Sequence, residues 1–180
     1  MSNLADIIET LAHAHADLER RVENMQRHGT VAEVDPATSR VRLKIGGTDE
    51  APMLSPWVRP AQMAGALKVH ALPSVGQTMT LFSPGGEMAA GVAVPFTWSN
   101  ANAAPSQSAE ENVLTFGSVR IELTGDGLKI TAGGTVLEVS GEGVAIEGDD
   151  LTHNGIFIGD THQHTQVEPG GALSGPPPGD

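Results

Sequence analysis

The chain has 180 residues, of which 39% are hydrophobic but only 3% aromatic, so we expect one medium or two small domains with a core of Val, Ile, Leu and Ala. Cysteine is absent, which excludes a disulfide framework and a thiolate zinc site. The formal net charge of -12 argues against nucleic acid as a partner and against adsorption to anionic lipid through charge. We expect neither a secretion signal nor a membrane helix, since the first residues lack a basic region and no apolar run approaches about 18 residues.

The N-terminal segment, residues 3–28, is predicted to be a helix that Asn3 caps and Gly29 ends. Its apolar side chains recur at alternating spacings of four and three, which form a heptad seam. The seam consists of Leu4, Ile8, Leu11, His15, Leu18, Val22 and Met25. Such a seam packs either on its own domain or on another helix. His13 and His15 point about 200° apart on a helix and cannot share a metal ion, so we interpret both as structural.

From about residue 30 the apolar period becomes two, which predicts short β-strands. A hairpin is expected across the DPATS turn, with Val41, Leu43 and Ile45 on one face of its second strand. Further strands are expected in LPSVGQTMTLF and MAAGVAVPF. This pattern favours a small barrel, for which an OB-type barrel is one option. The polar, Ala-rich segment SNANAAPSQSAEEN then indicates a linker.

Beyond the linker, very short strands alternate with glycine corners such as TGDG, AGG and SGEG. Their apolar positions are Val119, Ile121, Leu123, Leu128, Ile130, Val136, Leu137, Val139, Val144, Ile146, Ile156 and Ile158. Strands this short are not stable alone in one chain. We therefore expect copies of the chain to stack or intertwine into a β-helical prism with the apolar residues along its axis. An ordinary β-sandwich is the alternative.

The segments GTVAEVDPATSRVRLKIGG, SPWVRP and LPSVGQTMTLFSPGGEMAAGVAVP, with the glycine-cornered repeats and the terminal THQH, resemble the phage baseplate assembly protein V family. That family comprises the central tail spikes of contractile-tailed phages. The resemblance implies a mainly β homotrimer with an N-terminal helix (1–29), an OB-fold collar (30–98), a linker (99–111), an intertwined triangular β-helix spike (112–160) and a metal-closed tip (161–180). It also implies a component of the virion tail baseplate, or of a phage-tail-like particle, made in the host cytoplasm. The implied partners are the tail hub, the baseplate proteins and the host outer membrane.

The same resemblance implies one iron ion per trimer, shared on the three-fold axis and held by His162 and His164 of each chain. Residues two apart in an extended backbone point to the same face, so both histidines can face the axis while Gln163 points outward. Three chains then supply six imidazole nitrogens, which suits iron better than zinc. Nickel and cobalt fit the residues nearly as well.

The predicted function is a non-catalytic, iron-tipped spike that punctures the host cell envelope when the tail sheath contracts. One alternative is a non-haem metal enzyme that uses His162, His164 and Asp160 as ligands. The scarcity of aromatic side chains to line a substrate pocket disfavours it. Further alternatives are a carbohydrate-binding fibre tip, or two solvated histidines in a Gly- and Pro-rich tail.

Overall fold

A computed structural model describes residues 3–159, and the chain divides into two units, Met1–Ala104 and Pro105–Asp180. In the described part, the first unit contains a long helix and a six-stranded sheet. The second contains a five-stranded sheet and a two-stranded hairpin. The protein is therefore mainly β with an N-terminal helix, as the sequence predicts.

Helix α1 spans Leu4–Met25 and begins with a capping box. The Asn3 side chain accepts a hydrogen bond from the first turn, and the Asn3 N–H donates to the Asp6 carboxylate at 3.1 Å. The prediction that the helix continues through residues 26–28 is wrong, because these residues pair with residues 80–82 in a sheet. The backbone hydrogen bonds of that pairing replace those of another helical turn.

Six strands form the sheet of the first unit. They are β1 (Gln26–Asp35), β2 (Arg40–Gly47), β3 (Pro52–Leu54), β4 (Arg59–Pro60), β5 (Thr78–Phe82) and β6 (Val92–Pro95). Their order is β3-β2-β1-β5-β6-β4, and β4 runs parallel to β6 while the other pairs are antiparallel. The sheet closes into a barrel because Val58, just before β4, exchanges backbone hydrogen bonds with Val41 of β2. The predicted hairpin is β1 with β2.

The barrel core is aliphatic, as the composition predicts. It consists of Val31, Val41, Leu43, Ile45, Val58, Met79, Leu81 and Ala93. In β2 the buried residues alternate with the half-buried Arg40, Arg42 and Lys44, so one face of the strand points inward. Ser55 places a hydroxyl in this core, where it accepts a hydrogen bond from the Leu43 N–H at 3.0 Å and donates to a neighbouring carbonyl at 2.8 Å.

The C-terminal half of α1 packs against a short 3-10 helix, Pro84–Gly86, that follows β5. The Ser83 N–H donates to the Met25 carbonyl at 2.8 Å. A side chain at Gly86 would place its Cβ 2.5 Å from the Arg21 carbonyl oxygen, so the close approach requires glycine. Asn24, which is 8% exposed, is the buried residue of the helix. The helix therefore contacts the barrel through a polar side.

The second unit contains a meander of five antiparallel strands in chain order. They are β7 (Glu111–Phe116), β8 (Val119–Thr124), β9 (Gly127–Ala132), β10 (Thr135–Ser140) and β11 (Gly143–Glu147). A hairpin of β12 (Thr152–His153) and β13 (Ile156–Phe157) follows. The strands predicted from residue 119 onward are present, whereas β7 was not predicted. Gly117 and Gly133, at φ 58° and 62°, occupy the tight turns before β8 and β10.

Candidate functional site

Most of the large apolar side chains in the five-stranded sheet of the second unit lie on one of its faces. The five strands pair in continuous register, so equivalent positions align across the sheet. One row contains Leu114, Ile121, Ile130, Leu137 and Ile146, and the next contains Leu123, Leu128, Val139 and Val144. Residues two apart in a strand share a face, so these nine side chains form one continuous surface, which we call the apolar face.

The apolar face is exposed in the part of the chain that the structure describes. Leu114, Ile146 and Val144 are 66%, 52% and 67% exposed. No residue from 105 to 159 is buried, so the described part of this unit contains no buried core. A continuous apolar surface of this kind on a soluble protein indicates a contact with another surface.

The opposite face of the same sheet is charged. Arg120 lies 2.8 Å from the Glu122 carboxylate and 3.9 Å from that of Glu111. Lys129 lies 3.9 Å from the Glu138 carboxylate on the neighbouring strand. Partly exposed ion pairs contribute at most about 1 kcal/mol each, so their main effect is to keep this face in water. The sheet therefore presents one apolar face and one charged face.

The sequence predicts most of the alternation that produces the apolar face, but it misses the contribution of β7. It also wrongly includes Val136, which lies beside Thr131 and Glu147 on the charged face. Leu114 and Phe116 belong to this strand, and Phe116 is 88% exposed beside Val119 in a third row. The stretch NVLTF does not alternate cleanly, because Val113 lies on the charged face. The signal that could have identified β7 is the Gly117 turn, which pairs it with β8.

The predicted metal ligands His162 and His164, and the enzymatic alternative with Asp160, lie outside the described residues 3–159. The iron site therefore stays a prediction. Within residues 3–159, no group of three or more His, Asp or Glu residues is arranged to hold a metal ion. No helix in the same range is long and apolar enough to span a bilayer.

Two carboxyl groups with shifted pKa values stabilise turns of the barrel. The Thr38 hydroxyl donates to Asp35 at 2.5 Å and the Ala37 N–H donates to it at 3.0 Å, which lowers the pKa of Asp35. A hydrogen bond from the Lys44 ammonium lowers the pKa of Asp49. Both groups are ionised at neutral pH, and their hydrogen bonds hold the turns in their conformations.

Two comparisons relate this chain to known proteins. Residues 27–98 match the family model for the type VI secretion system/phage-baseplate injector OB domain, which covers the barrel. The chain is also 32% identical over 104 residues to the spike protein of Escherichia phage P2, a match that covers 57% of this chain and 46% of the relative. The chain thus matches about half the length of that relative.

Proposed function

Because residues 27–98 match the family model for the type VI secretion system/phage-baseplate injector OB domain and the chain is similar to a phage spike protein, we propose that this protein is the central spike of a contractile tail baseplate. The relationship confirms the predicted resemblance and indicates a component of the virion tail baseplate. The role is structural, and the partners are the tail hub and the other baseplate proteins.

The apolar face carries the proposal. An isolated sheet with one uncovered apolar side is not stable in water, and it gains stability when that side is removed from solvent. Three copies of the chain, arranged around a three-fold axis, bury the three apolar faces together as an intertwined triangular β-helix. The charged faces then point outward, where water solvates Arg120, Lys129 and their carboxylate partners.

The tip of this trimer is proposed to hold one iron ion between the His162 and His164 side chains of three chains. Symmetry supports the proposal, since two ligands per chain become six on the axis. The ion ties the three chain ends together at the point that meets the host envelope. Sheath contraction supplies the force, and the rigid spike transmits it to the outer membrane.

Oligomeric mass is the first test of the proposal. Sedimentation of the full chain is expected to give a homotrimer, because burial of the apolar face needs partner chains. A folded, monodisperse monomer would overturn the proposal.

Metal stoichiometry is the second test, and it separates the spike from the non-haem enzyme. Elemental analysis of the full chain is expected to give one iron per three chains. His162→Ala or His164→Ala removes three of six ligands at once, so either variant should lose the metal and stay trimeric. Asp160→Ala is the matched control and should keep the metal. One metal per chain, or its loss in Asp160→Ala, would favour the enzyme.

A further inference from the structure

Helix α1 exposes its apolar seam along its whole length. The exposed fractions are 70% for Leu4, 58% for Ile8, 63% for Leu11, 59% for Leu18, 58% for Val22 and 49% for Met25. A helix of 22 residues with this stripe is strongly amphipathic, and such a stripe is stable only when another surface covers it.

The barrel leaves the seam free. The helix contacts the barrel near Arg21 and Asn24, and Asn24 lies about 150° around the helix from the middle of the seam at 3.6 residues per turn. Another surface can therefore cover the seam while α1 stays packed on its own barrel.

We propose that α1 forms a parallel three-stranded coiled coil with α1 of two further copies of this chain. The inference rests on the proposed function in one respect, the three-fold symmetry. Symmetry makes the three helices parallel and places each seam residue in one layer with its two equivalents. The apolar face and the helix seam are then two separate trimer interfaces in one chain.

The residues beside the seam favour three strands. Ile8 and Val22 alternate with leucines in the seam, a pattern that by itself suits two strands. In the N-terminal half of the helix, however, the flanking positions carry Ile7, Ala12 and Ala14 instead of the charged residues usual in a two-stranded coil. The apolar stripe is therefore wider than a two-stranded contact covers.

The charges of the helix agree with this packing. Arg20 and Arg21 bond the Asp17 carboxylate at 2.6 and 2.7 Å, away from the middle of the seam. The charged residues that flank the seam are Glu19 and Arg21, which have opposite signs. No like charges are therefore brought together along the seam when the three helices associate.

The two histidines of the helix, His13 and His15, provide an internal comparison. His15 lies in the seam between Leu11 and Leu18, whereas His13 lies on the outer side. Each histidine is near a glutamate one turn away, His15 at 3.5 Å from Glu19 and His13 at 3.7 Å from its partner. Three copies of His15 would form one polar layer in the coil, and a polar layer of this kind fixes the register of the strands.

Thiol crosslinking of the full chain tests the inference, because the natural chain has no cysteine. Leu11→Cys places one thiol per chain in the seam, and His13→Cys is the control on the outer side. Mild oxidation of the trimer is expected to yield covalent dimers with Leu11→Cys and almost none with His13→Cys. A trimer that yields no dimer with Leu11→Cys, or equal dimer with both variants, would overturn the coiled coil and leave the proposed function intact. A monomer by sedimentation would instead refute the proposed function.

A second pair of variants tests the His15 layer. In the Leu11→Cys chain, His15→Asp should abolish the crosslink, because three carboxylates would be brought together inside the coil. The same change at the outer position, His13→Asp, should leave the crosslink in place. Sedimentation of both variants shows whether the rest of the trimer is intact. An undiminished crosslink in His15→Asp, or equal loss in both variants, would contradict the layer.

Discussion

At the scale of single residues, Ser55 and Ser83 bury a hydroxyl with opposite consequences. The Ser55 hydroxyl has two hydrogen-bond partners, whereas the Ser83 hydroxyl has none among residues 3–159. Ser55→Ala should lower the free energy of unfolding by about 1 kcal/mol, since it leaves the Leu43 N–H unpaired, and Ser83→Ala should be neutral or slightly stabilising. Urea denaturation at one fixed chain concentration measures both. Equal losses would show that Ser83 has a partner of its own.

The turn at Asp35 should make part of the stability depend on pH. Its folded-state pKa is lowered from the ordinary value of 3.8 by the Thr38 hydroxyl and the backbone of the turn. The contribution is therefore complete above pH 3.8 and is lost as pH falls through the lower folded-state pKa. Asp35→Ala should destabilise the protein at neutral pH, and its difference from wild type should shrink in acid. Thermal melting from pH 7 to pH 2 tests this, and a difference that grows in acid would contradict it.

At the scale of elements, Gly86 controls how α1 sits on the barrel. Gly86→Ala should separate α1 from the barrel, because the Cβ of the new alanine would collide with the backbone of Arg21. Gly85→Ala is the control, since Gly85 also has a positive φ of 60° but has open space around it. Trypsin cleavage after Arg20 and Arg21 should accelerate in Gly86→Ala and much less in Gly85→Ala. Similar rates in both variants would point to backbone strain alone.

The elements also show what local sequence patterns predict and where they fail. Some features depend only on residues that are neighbours in the chain, and the sequence predicts them. They are the helix cap at Asn3, the hairpin across DPATS and the strands between glycine corners. The end of α1 depends on pairing between residues 26–28 and 80–82, which no local pattern contains. The apolar positions of β8–β11 were predictable for the same local reason. No local pattern contains the surface that would cover them.

At the scale of the whole molecule, the two faces of the second sheet should respond differently to the same charge. Val144 lies on the apolar face and Ala145, the next residue, lies on the charged face. Val144→Asp should dissociate or unfold the trimer, because it places three carboxylates in the proposed buried interior. Ala145→Asp should leave the trimer intact. Sedimentation of both variants measures whether each one is trimeric. A Val144→Asp chain that stays trimeric would show that the apolar face is not the surface through which the chains associate.

In the meander β7–β11, the rate at which strands pair and the stability of the paired sheet depend on different interactions. Each strand pairs with its neighbour in the chain, so the sheet has low contact order and its hairpins can form quickly. None of residues 105–159 is buried in the single chain, however, so we expect the paired state to be only transiently populated until the apolar face is covered. Refolding of this unit from denaturant should therefore slow steeply when the protein is diluted. The denaturant concentration at which the unit is half unfolded should rise with chain concentration. The barrel, in contrast, should refold at a rate that dilution does not change.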